Sequence, residues 1–171
     1  MTDWRGHAVV QVGVPALERW VKARTEFYDA RFISTDACFW HAHITVLAPL
    51  AEWDESALSE IAASTPPFDF ELAEIGVFPD GCIHLRPSPD DGFRTLTRRV
   101  WAAHPEVVPF GAPVPTPHLT LQWRDDEVTR EATRDSVADL LPAAGFAAEL
   151  ELVWYETGNC HLIHSWALGV G

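Results

Sequence analysis

Apolar residues fall along the chain in two rhythms, and the changes between them mark the elements. Residues 7–14 (HAVVQVGV) are a short valine-rich run and predict a buried strand. Pro15 suits the first turn of a helix, along which Leu17, Trp20, Val21 and Ala23/Arg24 recur at helical spacing. Residues 38–47 (CFWHAHITVL) predict the next strand, with Pro49 as its stop. Asp54 is placed to cap a helix whose apolar face is Leu58 and Ile61, and Pro66-Pro67 end it. Residues 68–77 alternate as a half-buried strand does, and the turn Pro79-Asp80-Gly81 leads into a second strand over 82–85, predicting a hairpin.

The second half repeats the scheme. Asp90-Asp91-Gly92 precede a helix with Phe93, Leu96, Val100 and Trp101 on one face. Residues 105–117 hold five of the 13 prolines and predict an ordered loop. Residues 118–123 (HLTLQW) predict a strand. Residues 125–141 predict a helix bearing Val128, Ala132, Val137 and Leu140-Leu141, closed by Pro142 and Gly145. Two strands, 146–155 and 161–168, end the chain. The order βαβαββ then αβαββ is that of an α+β fold, with helices packed on antiparallel-rich sheets. No Gly/Ser linker separates the halves, so residues 1–171 are expected to form a single domain of two lobes sharing one core.

Composition narrows the partners. At 171 residues, 47% hydrophobic and 22% charged, the chain is an ordinary globular sequence. Its net charge of −13 repels nucleic-acid backbones and anionic membranes on average, so no extended nucleic-acid binding is expected. A small anion in a locally positive pocket stays compatible with that charge. Every cation except Lys22 is an arginine, which suits planar recognition of phosphate and equally fits a GC-rich genome. No apolar run is long enough to span a membrane. Met1-Thr2-Asp3-Trp4-Arg5 has no basic region leading into an apolar one, so no secretory leader is expected. Cys38, Cys82 and Cys160 are odd in number and lack CxxC spacing, so no disulfide framework is expected and a reducing cytoplasm is the simplest home; a monomer is the expected state. There is no phosphate-binding glycine loop, no Gly-x-Ser-x-Gly elbow and no cysteine in a nucleophile's setting.

Two strands carry the same chemistry. His43-Ile44-Thr45-Val46 and His118-Leu119-Thr120-Leu121 are both His-apolar-Thr-apolar. Residues i and i+2 of a strand share a face, so each motif presents one imidazole and one hydroxyl together. Composition alone yields such a motif about 0.4 times, so two at matching places in similar halves argue against accident. If an approximate two-fold axis relates the halves, the motifs face each other across a cleft. A structural alternative has each imidazole bonding a backbone carbonyl while each threonine merely favours β structure.

With these motifs the sequence resembles the 2H phosphoesterases, which include RNA 2′,3′-cyclic phosphodiesterases and 2′-5′ RNA ligases. HAVVQVGVP is similar to the family's opening strand, HITVLAPL to its first motif, PPFDFELAEIGVF to its middle strand and PTPHLTLQW to its second motif. The resemblance implies a bilobal fold around a central cleft, and metal-independent chemistry on phosphoesters with no cofactor. Small nucleotides or short RNA ends are the expected substrates. Opening a cyclic phosphodiester needs a base for the attacking water and an acid for the leaving oxygen. His43 and His118, titrating near neutrality, can serve as both. Thr45 and Thr120 can donate to the non-bridging oxygens, where charge must be held. His118 as base and His43 as acid is one assignment; a two-fold makes the reverse equally open.

Other residues compete for attention. His41 and His43, joined by Cys160, His161 and His164, provide an alternative reading as a metal-dependent hydrolase. That reading leaves the HLTL repeat unused, and His161 and His164 have opposite strand parity. His7, His104, His161 and His164 read as surface or edge histidines. Arg86, on one face with His84, and Arg124, after the second motif, can each meet a substrate phosphate or pair with an acid. Phe39, Trp40, Phe78 and Trp123 can stack on a base, though most of eight tryptophans must be core. A non-catalytic nucleotide-binding module is the remaining alternative.

Overall fold

The structure, a computed structural model, describes residues 6–111 and 113–171. The segment 1–5, read above for a leader, lies outside the described residues. In chain order the elements are β1 (His7–Gly13), α1 (Glu18–Asp29), β2 (His43–Leu50), α2 (Glu55–Ala63), β3 (Phe68–Val77), β4 (Cys82–Ser88), α3 (Asp91–Ala103), β5 (Leu119–Trp123), α4 (Arg130–Val137), β6 (Ala143–Ala147), β7 (Glu149–Tyr155) and β8 (His161–Ala167). The strands make two antiparallel sheets of order β2-β1-β7-β8 and β5-β4-β3-β6. This is the α+β architecture of two lobes that the element order predicts.

The lobes are not the two halves of the chain. The first sheet takes strands from both ends, the second from the middle. The two orders nonetheless match place for place, and each puts its His-x-Thr strand at an edge. Local register repeats as well. Gln11 faces Thr45 while Val10 faces Leu47, so β2 bulges at Val46; His84 faces Thr120 while Ile83 faces Gln122, so β5 bulges at Leu121. Both bulges fall on the residue after the threonine. A bulge shifts side-chain parity, which is why Val46, Leu47 and Ala48 are all buried in succession.

Ala8, Val10, Val12, Ile44 and Val46 turn to one side of the first sheet and join Leu58, Ile61, Phe93 and Leu96 in a cluster that continues through Leu72, Ile83, Leu85 and Leu119 of the second. The helices fit that face by their spacing. Phe93, Leu96 and Val100 of α3 are fully buried at i, i+3 and i+7, and Phe93 lies edge-on to Phe68 and Phe70 at 5.0 and 4.9 Å. Burying one such side chain contributes about 1.5–3 kcal/mol. Asp54 caps α2 as expected, accepting from the Ala57 amide at 3.0 Å.

Four expectations change. Residues 38–42 are turn and coil rather than strand, because Glu18 of α1 takes the His41 and Ala42 amides. Pro49 does not stop β2, which runs to Leu50; an edge strand has a free side where a missing N–H costs no ladder bond. The helix predicted from residue 125 begins at Arg130: the Asp125 carboxylate accepts from the Glu127 and Val128 amides in a turn, and Thr129 is the cap. Residues 146–155 are two strands in different sheets, divided at Ala148, with Gly145 inside β6 rather than ending a helix. Among the described residues no helix is long and apolar enough to cross a membrane.

Candidate active site

The two edge strands meet across a cleft of about 530 Å³, lined by His43, Thr45 and Thr120 among others. Ile44 and Leu119 are fully buried on the far side, which fixes the rotation of each strand and aims its imidazole and hydroxyl outward. His43 and Thr45 are half-buried and Thr120 is exposed. His118 precedes β5 and, unlike His43, Thr45 and Thr120, is not among the residues lining the cleft; Phe78 meets it edge-on at 4.8 Å and His84 at 5.4 Å. When protonated, His118 disfavours a second charge on His43.

Each imidazole is anchored the same way. His43 Nδ1 donates to the carbonyl of His41 at 2.9 Å and His118 Nδ1 to that of Thr116 at 2.7 Å, each two residues back. A carbonyl can only accept, so the Nδ1 carries the proton in both rings. The structural alternative foresaw these carbonyl bonds, and they are present. They occupy only Nδ1: among the described residues neither Nε2 has a hydrogen-bond partner. Both Nε2 nitrogens are thereby left open to a ligand, His43 on the cleft lining and His118 one residue before the β5 strand that carries Thr120.

Desolvation pushes the His43 pKa down to about 4, helped by the charge of His118 and opposed by the His41 carbonyl. Desolvation also lowers His118, opposed by the Thr116 carbonyl and by Asp80. Both rings are therefore neutral at physiological pH while the site lacks an anion. An anion bound beside either ring would favour its protonated form.

Residues invisible to sequence reasoning hold this arrangement. The Glu18 carboxylate accepts from the His41 and Ala42 amides at 3.2 and 2.8 Å and from His41 Nδ1 at 2.6 Å. It thus fixes the backbone whose carbonyl orients His43. Burial raises the Glu18 pKa, but these bonds prevail and the net shift is downward. The Tyr155 hydroxyl stands 3.3 Å from His43 Nδ1, and burial keeps it protonated. Around Tyr155, His7 stacks at 6.2 Å and Phe39 packs edge-on at 5.3 Å. On the other lobe His84 is fully buried, stacked on Phe78 at 3.8 Å. It lies over Gly76, where an added Cβ would come within 2.7 Å of the ring. No motif in one sequence marks Glu18 or Tyr155; each matters through a neighbour distant in the chain.

The remaining candidates divide. Trp123 lines the cleft and is 52% exposed. Arg86 and Arg124 do not line it: Arg86 Nε donates to His84 Nε2 at 3.3 Å, and Arg124 follows Trp123 at the strand end with its amide on the Gly81 carbonyl. Phe39 is core, and Phe78 is a wall of His118. His104 is no surface residue, being 2% exposed with both nitrogens bonded, and His7 faces the cleft. His41 is unsuited to a metal: its Nε2 accepts from the Ser34 amide at 3.1 Å while Nδ1 bonds Glu18. Among the described residues no three His, Cys, Asp or Glu side chains gather as metal ligands.

A family model described as the 2′-5′ RNA ligase superfamily matches residues 13–159. No curated protein matches the chain. Solved structures do. Escherichia coli LigT complexed with 3′-AMP superposes with a TM-score of 0.59 at 18% identity, over 95% of this chain and 97% of that one. The protein TT0787 of Thermus thermophilus gives 0.62 at 16% identity, over 95% and 98%. A structure described as a phosphoesterase gives 0.57 at 17% identity, over 96% and 99%. At these identities the likeness is one of fold.

Proposed function

The chain belongs to the 2′-5′ RNA ligase superfamily, and on that premise we propose that it hydrolyses a 2′,3′-cyclic phosphate or a 2′-5′ phosphodiester of a nucleotide or short RNA end. The observation that carries this reading is the pair of imidazoles, each tied through Nδ1 to a carbonyl two residues back and each with its Nε2 left unbonded by the described residues. In the reaction one Nε2 takes a proton from water as its oxygen bonds to phosphorus. The P–O bond to the ribose oxygen breaks, and the other Nε2–H protonates that oxygen. The products are a phosphomonoester and a free ribose hydroxyl. Thr45 and Thr120 donate to the non-bridging oxygens. His118 as base and His43 as acid is one assignment for cyclic-phosphate hydrolysis, the opposite one is open to the same pair, and the reverse reaction exchanges the roles.

Side chains supply the base, the acid and the charge-holding donors, so the scheme needs neither metal nor cofactor. LigT, a neighbour in fold, has been crystallised with 3′-AMP and with phosphate, and a nucleoside 3′-phosphate is one product expected here. Hydrolysis ranks above ligation because water is in vast excess. The negative net charge favours small substrates over extended nucleic acid; a cytoplasmic monomer is part of the same proposal.

The test is turnover of 2′,3′-cyclic nucleotides, cyclic-phosphate-ended RNA and 2′-5′ dinucleotides in EDTA. We expect chelator-resistant hydrolysis of at least one class with a single phosphomonoester isomer released. Turnover that appears only when a divalent metal is supplied, or turnover of none of the three, contradicts the proposal.

A further inference from the structure

Besides its histidines the cleft is lined by two charged side chains, Arg24 and Asp29, both from α1. Asp29 is neutralised locally, since Arg31 donates to it through Nε at 2.9 Å and Nη2 at 2.7 Å. Arg24 has no acid within ion-pair distance among the described residues. That is notable in a chain with 25 acids and 12 Lys and Arg. Its guanidinium lies over the Trp20 ring at 5.1 Å, a contact that holds the half-buried cation in place without neutralising it. The cleft thus has its acid masked and its arginine bare.

Val21, Arg24, Thr25 and Tyr28 line the cleft from one face of α1, at i, i+3, i+4 and i+7. This wall abuts β5, where the Tyr28 hydroxyl stands 3.5 Å from Gln122 Oε1. It adds a helical wall, carrying a cation, to the same cleft that His43, Thr45 and Thr120 line. Tyr28 and Trp123, both lining the cleft, are 50% and 52% exposed and offer rings to a ligand there.

We propose that Arg24 is a binding residue for a second phosphate of the substrate, distinct from the phosphate held between the two His-x-Thr strands. The inference rests on the cyclic-phosphate reading of that site. Two sources share this chemistry: the 5′-phosphate of a mononucleotide, and the next phosphodiester of an RNA end. Guanidinium matches either through paired N–H donors. A substrate class follows: phosphoesters bearing a second phosphate are preferred over nucleosides carrying one.

Calorimetric titration with adenosine 3′-monophosphate, adenosine 3′,5′-bisphosphate and the 3′-phosphorylated dinucleotide ApAp tests this. The parent protein is expected to bind at least one two-phosphate ligand about ten-fold or more tighter than the monophosphate. Preference for the bisphosphate identifies the 5′-phosphate as the group, and preference for ApAp alone identifies the phosphodiester. Arg24→Gln is expected to bring the affinity ratio towards one, and Arg24→Lys to keep part of it. No preference in the parent overturns the inference, and so does a ratio unchanged in Arg24→Gln, which would place Arg24 on the first phosphate or outside the site. These outcomes are independent of turnover. Hydrolysis without a second-phosphate preference removes this inference alone, and the preference without hydrolysis removes the catalytic reading.

Discussion

His43 and Glu151 titrate in opposite senses, and stability across pH exposes both. Desolvation holds His43 near pKa 4 against an ordinary 6.5, so between those values the unfolded chain takes up a proton that the folded one refuses. Stability therefore falls as pH drops through that window. Glu151 is 3% exposed beside Gln11, and desolvation raises its pKa from 4.5 to about 7. There the folded chain keeps a proton that the unfolded one loses, so stability falls as pH rises across that interval. The two slopes oppose each other where the windows overlap. Glu151→Gln is expected to stabilise the protein by about 2 kcal/mol at pH 8, in chemical denaturation followed against pH. The new amide can also donate to Gln11 Oε1, which is buried without a partner among the described residues. An unchanged or lower stability at that pH contradicts this. The His-x-Thr pairing of His43 with Thr45 and of His118 with Thr120 is legible in the sequence because period-two spacing is a local property, and the fold brings His43, Thr45 and Thr120 to one cleft. Glu18, Tyr155 and Arg24 are not legible there, since each reaches the site only when a helix or a distant strand folds onto it.

At the scale of elements, sequence reasoning succeeded where one signal governs one segment. β3 runs over residues 68–77 as its alternation requires, and α2 begins at the Asp54 cap. It failed where tertiary partners decide. β2 passes through Pro49 because it is an edge strand, and His41 and Ala42 give their amides to Glu18 rather than to a sheet. Two substitutions separate positioning from support. Glu18→Ala frees the backbone behind His43 and is expected to lower kcat by roughly ten-fold or more, with a smaller change in KM, because a misplaced catalytic group costs rate. Loss of stability without any change in kcat would make Glu18 only a structural brace. Asp54→Ala removes the cap of α2, which does not line the cleft, and is expected to cost about 1 kcal/mol with turnover intact, read by thermal denaturation and assay. A cap loss that abolished turnover would show that the cluster joining Leu58 and Ile61 to Ile44 and Val46 transmits the end of α2 to the cleft.

Over the whole molecule, the matching sheet orders and the paired bulges at Val46 and Leu121 place two edge strands across one cleft. One hydrophobic cluster lies beneath both sheets. The first sheet closes only when β7 and β8 return to β1, a pairing between chain ends that no local pattern announces. Charge also acts at this scale. With a net charge of −13, the protein repels an anionic nucleotide at long range, so its association rate is expected to rise from low to physiological ionic strength. A rate that falls with salt would mean that a local positive field at the cleft outweighs the net charge. The central claim is that His43 and His118 work as one acid–base pair. The most direct measurement is single-turnover hydrolysis of a 2′,3′-cyclic substrate by His43→Ala, His118→Ala and the double variant, with folding checked by circular dichroism. Each single variant is expected to lose about 10²–10⁴-fold, and the double variant little more than either, as groups acting together do. Undiminished turnover in either folded single variant would contradict paired-histidine catalysis.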